Sequence, residues 1–279
     1  ESVSAEYENT DAVYTFEKRE VDSDAVFALA AFALDDSHIS VAARHVDNEL
    51  FGSHASYRAT LAYRLADMVS ARLAYGTEFK APSLFELYAS FAGNPDLKPE
   101  TSESIEAGLD WAVSPNADIA ITFFDTRIED RIGFHPSTLS SIQITGETKT
   151  RGFDVSLDGR LSNRLRLGVN LNYANSREPS GNSSARVPRV PRLTAASTLD
   201  YQANDVTSLG LSLRHMHNAV EGSYAFDDFT VVDLRAAYTL PNQVKVYGRL
   251  ENAGDEDYET ARGYNTLGRT LYVGLTAAF

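Results

Sequence analysis

The sequence predicts an all-β fold, a transmembrane antiparallel up-and-down β-barrel, from three observations. Apolar and polar residues alternate along one segment after another, the segments are long, and the connections between them alternate between short and long. Period-two alternation is typical of a strand with one apolar and one polar face. Each segment runs for about 9–12 residues, as a tilted strand needs to cross a bilayer, whereas soluble strands are most often about 5–6 residues long.

The alternation predicts about 14 strands, each with an apolar residue at every second position. It is clearest in five segments, whose apolar sets are Tyr57, Ala59, Leu61, Tyr63 and Leu65; Val69, Ala71, Leu73 and Tyr75; Ile105, Ala107, Leu109 and Trp111; Leu165, Leu167, Val169, Leu171 and Tyr173; and Leu271, Val273, Leu275, Ala277 and Phe279. Aromatic residues near the strand ends on this face suit an interfacial girdle, although β propensity also favours them. They are Tyr57, Tyr63, Tyr75, Trp111, Tyr173, Tyr201 and Tyr238.

Charged residues fall on the opposite face of the same strands. An Arg or Lys facing lipid near the midplane costs about 2–4 kcal/mol, so this face is expected to line a wet interior. If the hairpin 152–173 turns at Leu161–Ser162, Asp158 lies opposite Arg164 as a cross-strand pair. The charged set is Arg58, Arg64, Arg72, Glu106, Asp110, Asp154, Asp158, Arg164, Arg166, Arg235, Lys245 and Arg249.

The connections divide into short turns and long loops, as in membrane barrels with short periplasmic turns and long extracellular loops. The short turns are Asp35–Ser37, Ala66–Met68, Ser114–Ala117, Leu161–Asn163, Ala203–Asp205 and Pro241–Gln243. The long loops are Asn9–Asp22, Lys80–Thr101, Glu129–Glu147, Ser176–Arg189, Asn218–Asp227 and Asn252–Leu267, and the intermediate loop Asp47–Gly52 stands where a long one is expected. A short helix is expected within Leu84–Phe91.

Composition narrows the class of protein. The net charge of −14 argues against nucleic acid as a partner. The absence of cysteine excludes disulfides and thiolate metal sites and fits the periplasm and outer membrane. No apolar run approaches the roughly 20 residues of a spanning helix. The first residues lack the basic and apolar regions of a signal peptide, and we expect the chain to be a fragment with one domain over 1–279.

Nothing in the sequence predicts an enzyme, a cofactor or a metal site, because no catalytic triad order, phosphate-binding glycine loop or metalloprotease motif is present. His215 and His217 share one strand face, but no third ligand lies nearby in sequence, so a solvated pair is expected. The acidic run in the last long loop lacks the spacing of a calcium loop and is expected to be solvated on the lipopolysaccharide side. Its residues are Glu251, Asp255, Glu256, Asp257 and Glu259.

Three motifs carry a family resemblance. Tyr75–Tyr88 reads YGTEFKAPSLFELY, and Gly93–Glu100 follows with GNPDLKPE before Ser102 and Glu106. Near the end, Leu250–Tyr258 reads LENAGDEDY and precedes Gly263, Tyr264, Gly268, Arg269 and Phe279. With these motifs the chain resembles the TonB-dependent receptors of the bacterial outer membrane, and their cobalamin-transporter branch in particular.

The resemblance implies a 22-stranded barrel filled by an N-terminal plug, of which this chain would be the C-terminal barrel portion. It implies substrate binding between apical loops and plug, and import driven by the TonB complex. Expected partners are outer-membrane lipid and lipopolysaccharide, the TonB complex through a plug absent here, the barrel assembly machinery and a small-molecule metal chelate, with no nucleic acid. Cobalamin is the first expected substrate and a ferric siderophore the second. The alternatives are a smaller self-closed passive outer-membrane pore and a soluble β-sandwich adhesin.

Two groups of candidate site residues follow. Loop residues with aromatic, amide or guanidinium side chains are expected at the substrate, although Pro82, Pro95 and Pro99 leave open that the first loop is merely held in shape. The loop candidates are Phe85, Tyr88, Phe91, Asn94, Tyr224, Phe226, Tyr258, Arg262 and Tyr264. The chain end resembles the signal read by the barrel assembly machinery, with Gly274, Leu275, Ala277 and Phe279 as its residues.

Overall fold

The computed structural model describes residues 2–14, 19–135, 138–241 and 243–277, which form seventeen strands and one short helix. The elements are β1 (Ser2–Tyr14), β2 (Arg19–Leu34), β3 (Ser37–Asn48), β4 (Gly52–Ala66), β5 (Val69–Lys80), α1 (Leu84–Tyr88), β6 (Glu100–Ser114), β7 (Ala117–His135), β8 (Ser140–Ser162), β9 (Leu165–Ser180), β10 (Ser183–Arg186), β11 (Leu193–Asn204), β12 (Thr207–His217), β13 (Val220–Glu221), β14 (Tyr224–Ala225), β15 (Phe229–Thr239), β16 (Lys245–Glu251) and β17 (Thr270–Thr276). Among these residues, no helix has the length and apolar character needed to span a bilayer.

Fourteen strands follow one another in a single hydrogen-bonded order, from β1 to β9 and then β11, β12, β15, β16 and β17. The strand β10 pairs with β9, and β13 and β14 form a separate two-stranded sheet. Neighbours such as β3 and β4 or β11 and β12 are antiparallel. The all-β, antiparallel, up-and-down prediction is therefore confirmed.

The chain forms two compact units. The first comprises Glu1–Gly108, Phe124–Arg151 and Ser176–Ala185 and contains all of β1 to β5 and α1. The second comprises Leu109–Phe123, Gly152–Asn175 and Arg186–Phe279 and contains β11 to β17. Each unit has a small buried apolar cluster beneath the longer loops rather than a core along its strands.

In the second unit, the register places an unbroken row of leucines on one face of six adjacent strands. Each leucine is the direct cross-strand partner of the next, in the order Leu167, Leu199, Leu211, Leu234, Leu250 and Leu271. The row is not buried, since Leu234 is 43% and Leu271 67% exposed. A β-sandwich would cover such a face, so this exposure contradicts the adhesin alternative.

The residues next to these leucines in the sequence point to the opposite face, where the register aligns them in a polar row. Its members, in strand order, are Arg166, Asp200, Gly210, Arg235, Arg249 and Tyr272. The two rows together give an apolar face of leucines and an opposite face rich in charged side chains, as the alternation predicts.

The extent of three long loops was predicted wrongly. Strands occupy much of Asn9–Asp22, Glu129–Glu147 and Ser176–Arg189, because β1 and β2, β7 and β8, and β9 and β10 continue into these segments. The alternation of apolar residues ends in these segments, but the strands continue to pair. Backbone N–H and C=O groups bond across a hairpin whether its side chains are apolar or polar. Strands β1, β2, β7, β8 and β9 are accordingly longer than the predicted 9–12 residues, up to 23 in β8.

The short turns lie at strand junctions as predicted, but the partner of Asp158 was predicted wrongly. The β8–β9 hairpin turns at Asn163–Arg164, two residues later than assumed, and the Ser162 hydroxyl accepts a hydrogen bond from the Arg164 N–H at 3.2 Å within this turn. Asp158 forms its ion pair with Arg166, at 3.0 Å, rather than with Arg164.

Gly274, a candidate of the barrel-assembly signal, has a visible packing role. It faces Tyr247 across β16 and β17, and a Cβ atom added to Gly274 would overlap the tyrosine ring. Glycine thus allows the ring to lie across the neighbouring strand. Leu275 is 70% exposed on the apolar face, Ala277 follows the strand, and Phe279 lies outside the described residues.

We expect Gly274→Val to reduce the yield of assembled protein, because the added side chain must displace the Tyr247 ring at a cost of about 1–3 kcal/mol. The measurement is the fraction of protein that shows heat-modifiable gel mobility. The double variant Gly274→Val with Tyr247→Ala should recover assembly, and Gly254→Ala, whose Cβ would meet nothing within 4 Å, should be neutral. Equal loss in the single and double variants would refute this packing role.

Candidate functional site

The loop between β5 and β6 is firmly docked within the first unit. Its helix α1 begins with a capping box in which the Ser83 hydroxyl accepts from the Glu86 N–H, and the Glu86 carboxylate accepts from the Ser83 N–H. The Ser141 N–H donates to the Ala92 carbonyl at 2.7 Å, and the Lys98 N–H donates to the Gln143 side chain at 2.6 Å. A helix is present at Leu84–Tyr88, shorter than the Leu84–Phe91 range in which it was expected.

Beneath this loop, Leu87, Leu97 and Ile132 form a buried cluster against which Tyr88 packs. The guanidinium of Arg19 lies 4.8 Å from the centre of the Tyr88 ring. Asn94 donates from its side chain to the Ser141 carbonyl at 3.1 Å. Both Tyr88 and Asn94, predicted as substrate contacts, are thus engaged in holding the loop.

Phe85 and Phe91 differ from these two because their rings point to solvent. Their centroids are 5.8 Å apart in an edge-to-face arrangement, and Phe91 is 70% exposed. An exposed aromatic pair on a fixed loop offers apolar contact area at little cost in conformational entropy. Of the four candidates in this loop, these two are the exposed ones.

The loops of the second unit rest on another buried cluster, formed by Met216, Ala219, Phe226, Phe229 and Val231. Tyr224 and Tyr258 pack against it. Phe226, a predicted substrate contact, is only 6% exposed, and its ring supports Tyr224 edge-on at 5.1 Å. Tyr258 lies against Phe229 at 4.4 Å.

Above this cluster, a set of charged contacts ties three loops together. Arg189 forms an ion pair with Glu221, which also accepts from the Arg262 N–H at 3.3 Å. The Arg262 guanidinium stacks 5.1 Å from the Tyr224 ring centre, and the Tyr224 hydroxyl donates to Glu259 at 3.3 Å. The structure therefore brings Tyr224, Phe226, Tyr258 and Arg262 together in one assembly, which we call the tied loops (187–192, 218–228 and 252–269).

Tyr264, the remaining candidate, lies in the tied loops and is 74% exposed. The sequence did not identify Arg189, Glu221 and Glu259 as members of this assembly. The charge pattern within one loop does not predict the contacts of these residues, because their partners lie in other loops.

The charges of the tied loops shift one another's ionisation. Arg189, donating to the Glu221 carboxylate, holds the pKa of Glu221 below its ordinary value. The negative charge of Glu259 raises the pKa of Tyr224. The Asn218 N–H, with His217 as a second donor, lowers the pKa of Asp228.

The two histidines of β12 make solvent-exposed contacts, and each also has one polar partner. His217 Nδ1 lies 2.5 Å from an Asp228 oxygen, and His215 Nδ1 lies 2.9 Å from the Thr230 hydroxyl. The carboxylate comes from the far end of the following loop, which explains why sequence proximity did not reveal it. Across residues 2–14, 19–135, 138–241 and 243–277, no three His, Asp or Glu side chains are grouped as metal ligands.

We expect the Asp228 contacts to weaken only in acid. A carboxylate whose folded pKa is depressed adds stability above its unfolded value of 3.8, and this stability is lost as the pH falls through the lower folded pKa. Hydrogen exchange of the Asn218 amide should therefore be slow at pH 7, and Asp228→Asn should speed it there, with Asp227→Asn as the control. Equal protection in wild type and Asp228→Asn at pH 7 would show that the carboxylate does not hold this loop.

An exposed apolar sheet face, a charged opposite face and long loops at one strand end are typical of outer-membrane β-barrel proteins. The family model described as TonB dependent receptor-like, beta-barrel matches residues 2–253. The chain therefore belongs to the TonB-dependent receptor family, whose members are outer-membrane receptors and transporters rather than enzymes.

Individual relatives agree with this assignment. The chain is 26% identical over 283 residues to the vitamin B12 transporter BtuB of Photobacterium profundum, covering 97% of this chain and 45% of that protein. It also resembles the siderophore receptors PirA of Acinetobacter baumannii (TM-score 0.77, 17% identity, 92% of this chain and 45% of the other) and PirA of Pseudomonas aeruginosa (TM-score 0.76, 22% identity, 99% and 51%). The structural likeness concerns the fold, and the chain spans about half the length of these proteins.

Proposed function

We propose that the chain is the C-terminal barrel portion of a receptor that imports a large, scarce nutrient across the outer membrane. The observation that carries this proposal is the family match over residues 2–253. In this proposal residues 1–279 form barrel wall, a plug fills the bore, and the TonB complex supplies energy through the plug. The lipid-facing strands meet outer-membrane lipid and lipopolysaccharide, and the barrel assembly machinery inserts the chain.

Substrate contact is assigned to exposed side chains in the long loops of each unit. Phe85 and Phe91 offer aromatic faces on the docked first loop, and Tyr264 and Arg262 offer a ring and a guanidinium on the tied loops. Aromatic rings and arginine suit a large, conjugated metal chelate, because they provide stacking area together with directed hydrogen-bond donors. Tyr88, Asn94, Phe226 and Tyr258 act beneath these residues by fixing loop shape.

Cobalamin is the first proposed substrate, because the vitamin B12 transporter of Photobacterium profundum is similar over 97% of this chain. A ferric siderophore is the second, because the structural neighbours named above are siderophore receptors. A self-closed passive pore is not favoured, because the matched family is one of receptors.

Uptake by whole cells tests the proposal. The full-length receptor is expressed in cells that lack their own cobalamin and siderophore receptors, and accumulation of radiolabelled cyanocobalamin and of a labelled ferric catecholate is measured with and without TonB. Accumulation of one substrate that requires TonB is expected. Uptake of neither substrate, or uptake that is independent of TonB, would refute the proposal.

The assigned contacts are tested separately. Phe91→Ala should weaken substrate binding, whereas Phe134→Ala, which removes an exposed phenylalanine of β7, should not.

A further inference from the structure

A hollow of about 510 Å³ opens at the long-loop end of strands β4 to β8, and all of its lining residues belong to the first unit. The register pairing of β4 with β5 ends at Arg58 and Gly76, although both strands continue beyond these residues. Past this pair, the Tyr57 N–H donates to the Thr77 hydroxyl at 3.0 Å. The two strands therefore part here, and the hollow opens where they do.

The hollow lies on the face that carries the apolar sets, just beyond their last members. Tyr57 is the end of its apolar set on β4, and Ile105 is the first member of the set on β6. Thr101 and Glu103, which line the hollow, precede Ile105 at alternate positions and therefore share its face. In the proposed barrel, the hydrocarbon ends and the headgroup layer begins at this height.

Aromatic rings and a hydroxyl group line one side of the hollow. The Tyr57 ring is 58% exposed. The rings of His54 and Phe79 stack with their centres 3.6 Å apart and their planes inclined by 13°. The Thr77 hydroxyl oxygen accepts from the Tyr57 N–H, so the hydroxyl hydrogen is not used in this bond. This side thus offers a flat apolar surface beside a hydrogen-bond donor.

Carboxylates and one arginine line the other side. Arg127 forms ion pairs with Glu103 at 3.3 Å and with Glu147 at 3.9 Å. Across the ranges that the structure describes, no cation lies within ion-pair distance of the exposed Glu129. The ion pairs hold these planar groups in place, and each carboxylate oxygen keeps a lone pair for a further donor.

A lining of this kind suits a sugar. A pyranose ring has a face of C–H groups, which packs on an aromatic ring, and a rim of hydroxyls, each of which can donate and accept a hydrogen bond. A free anion is not favoured, because the four carboxylates of the lining outnumber its one arginine. A bare metal ion is not favoured either, since among the described residues no three His, Asp or Glu side chains are grouped as ligands.

We propose that this hollow binds a sugar unit of the lipopolysaccharide that surrounds the barrel. The Tyr57 ring packs on the C–H face of the sugar, the Glu129 carboxylate accepts from its hydroxyls, and the Arg127 guanidinium donates to them. The site rests on the proposed function only in that residues 1–279 form barrel wall. None of the proposed nutrient contacts lines the hollow.

Binding of a soluble sugar to the purified full-length receptor in detergent tests the site. The probe is the core oligosaccharide of lipopolysaccharide, freed of lipid A by mild acid, and its dissociation constant is measured by saturation-transfer NMR. The core oligosaccharide should bind at least as tightly as maltoheptaose, a soluble glucan. In a second arm, intact lipopolysaccharide should be retained by the receptor in preference to lipid A during gel filtration.

The first variant is Tyr57→Ala, expected to weaken oligosaccharide binding by about 3- to 10-fold because the stacking surface is lost. Its matched control is Tyr63→Ala, which removes an exposed tyrosine from the same face of β4 at the short-turn end. The control should bind the oligosaccharide as the wild type does. Heat-modifiable mobility verifies that both variants assemble.

The second variant is Glu129→Gln, which keeps the shape of the side chain and replaces a charged acceptor by a neutral one. It should weaken oligosaccharide binding by about 3-fold or more, and it decides the matter if Tyr57→Ala fails to assemble. Its matched control is Glu20→Gln, an exposed glutamate of β2 outside the hollow, which should have no effect.

Absence of core oligosaccharide binding, or equal losses in a variant and its control, would overturn the site. Tighter binding of maltoheptaose, or equal retention of lipid A and intact lipopolysaccharide, would overturn the assignment to lipopolysaccharide sugar. Oligosaccharide binding that is retained in a receptor that takes up neither labelled nutrient would overturn the proposed function alone.

Discussion

Replacing Leu211 by arginine is expected to abolish insertion of the receptor into the outer membrane. Leu211 stands in the middle of the six-leucine row, with Leu199 and Leu234 as its direct partners on the adjacent strands. A guanidinium facing hydrocarbon at mid-depth costs about 2–4 kcal/mol, a large share of the stability of a folded domain. The measurement is the amount of full-length protein in the outer-membrane fraction that shows heat-modifiable mobility.

The matched control is Ser212→Arg, which places the same side chain one residue further along β12 on the polar face. Its cross-strand partners are Thr198 and Asp233, and the carboxylate of Asp233 offers the new guanidinium a counter-charge. We expect this variant to assemble at the level of the wild type. Equal tolerance of both changes would show that the leucine row does not face lipid.

Replacing Phe229 by alanine is expected to loosen the tied loops while leaving the strands paired. Phe229 is 7% exposed, belongs to the buried cluster of the second unit and contacts Tyr258 at 4.4 Å. Removing a buried phenylalanine costs about 3–5 kcal/mol through lost contacts and the cavity left behind. Limited proteolysis should cut within 252–269 much faster than in the wild type, and substrate affinity should fall with it.

Phe91→Ala serves as the comparison for this experiment. Phe91 is 70% exposed and supports no cluster, so its removal should leave protease resistance unchanged. It should still weaken substrate binding, since its ring is one of the proposed contacts. A Phe229→Ala receptor with unchanged protease resistance would mean that the tied loops are held by their charged contacts rather than by the cluster below.

The sequence predicted the strands and their faces well, because hydrophobic periodicity is a local property. Leu209, Leu211 and Leu213 alternate with polar residues, and this alone places them on one face. The register between strands is harder to predict from the sequence, because it depends on where each turn closes. The β8–β9 hairpin is an example, because its turn lies two residues later than assumed and Asp158 pairs with Arg166 rather than with Arg164.

The sequence indicated which types of residue lie in the loops of the candidate site, but not which of them are exposed and which are buried. Aromatic residues in loops suggested ligand contact for both Phe91 and Phe226, yet Phe91 is exposed and Phe226 is buried. A loop sequence does not reveal which ring faces the cluster, because that depends on the other loops that close over it. The pairing of His217 with Asp228 and of Arg189 with Glu221 was missed for the same reason.

The length of β8 bears on where the proposed nutrient would first meet the receptor. With 23 residues at about 3.3 Å each and a tilt near 45°, β8 rises roughly 54 Å, about twice the height of the apolar band. In the proposed barrel, the part of its hairpin with β7 that carries the Arg127–Glu147 ion pair would therefore lie in water beyond the lipid. Capture of a diffusing nutrient by this hairpin would take place in the aqueous layer outside the cell, before the molecule touches the lipid headgroups.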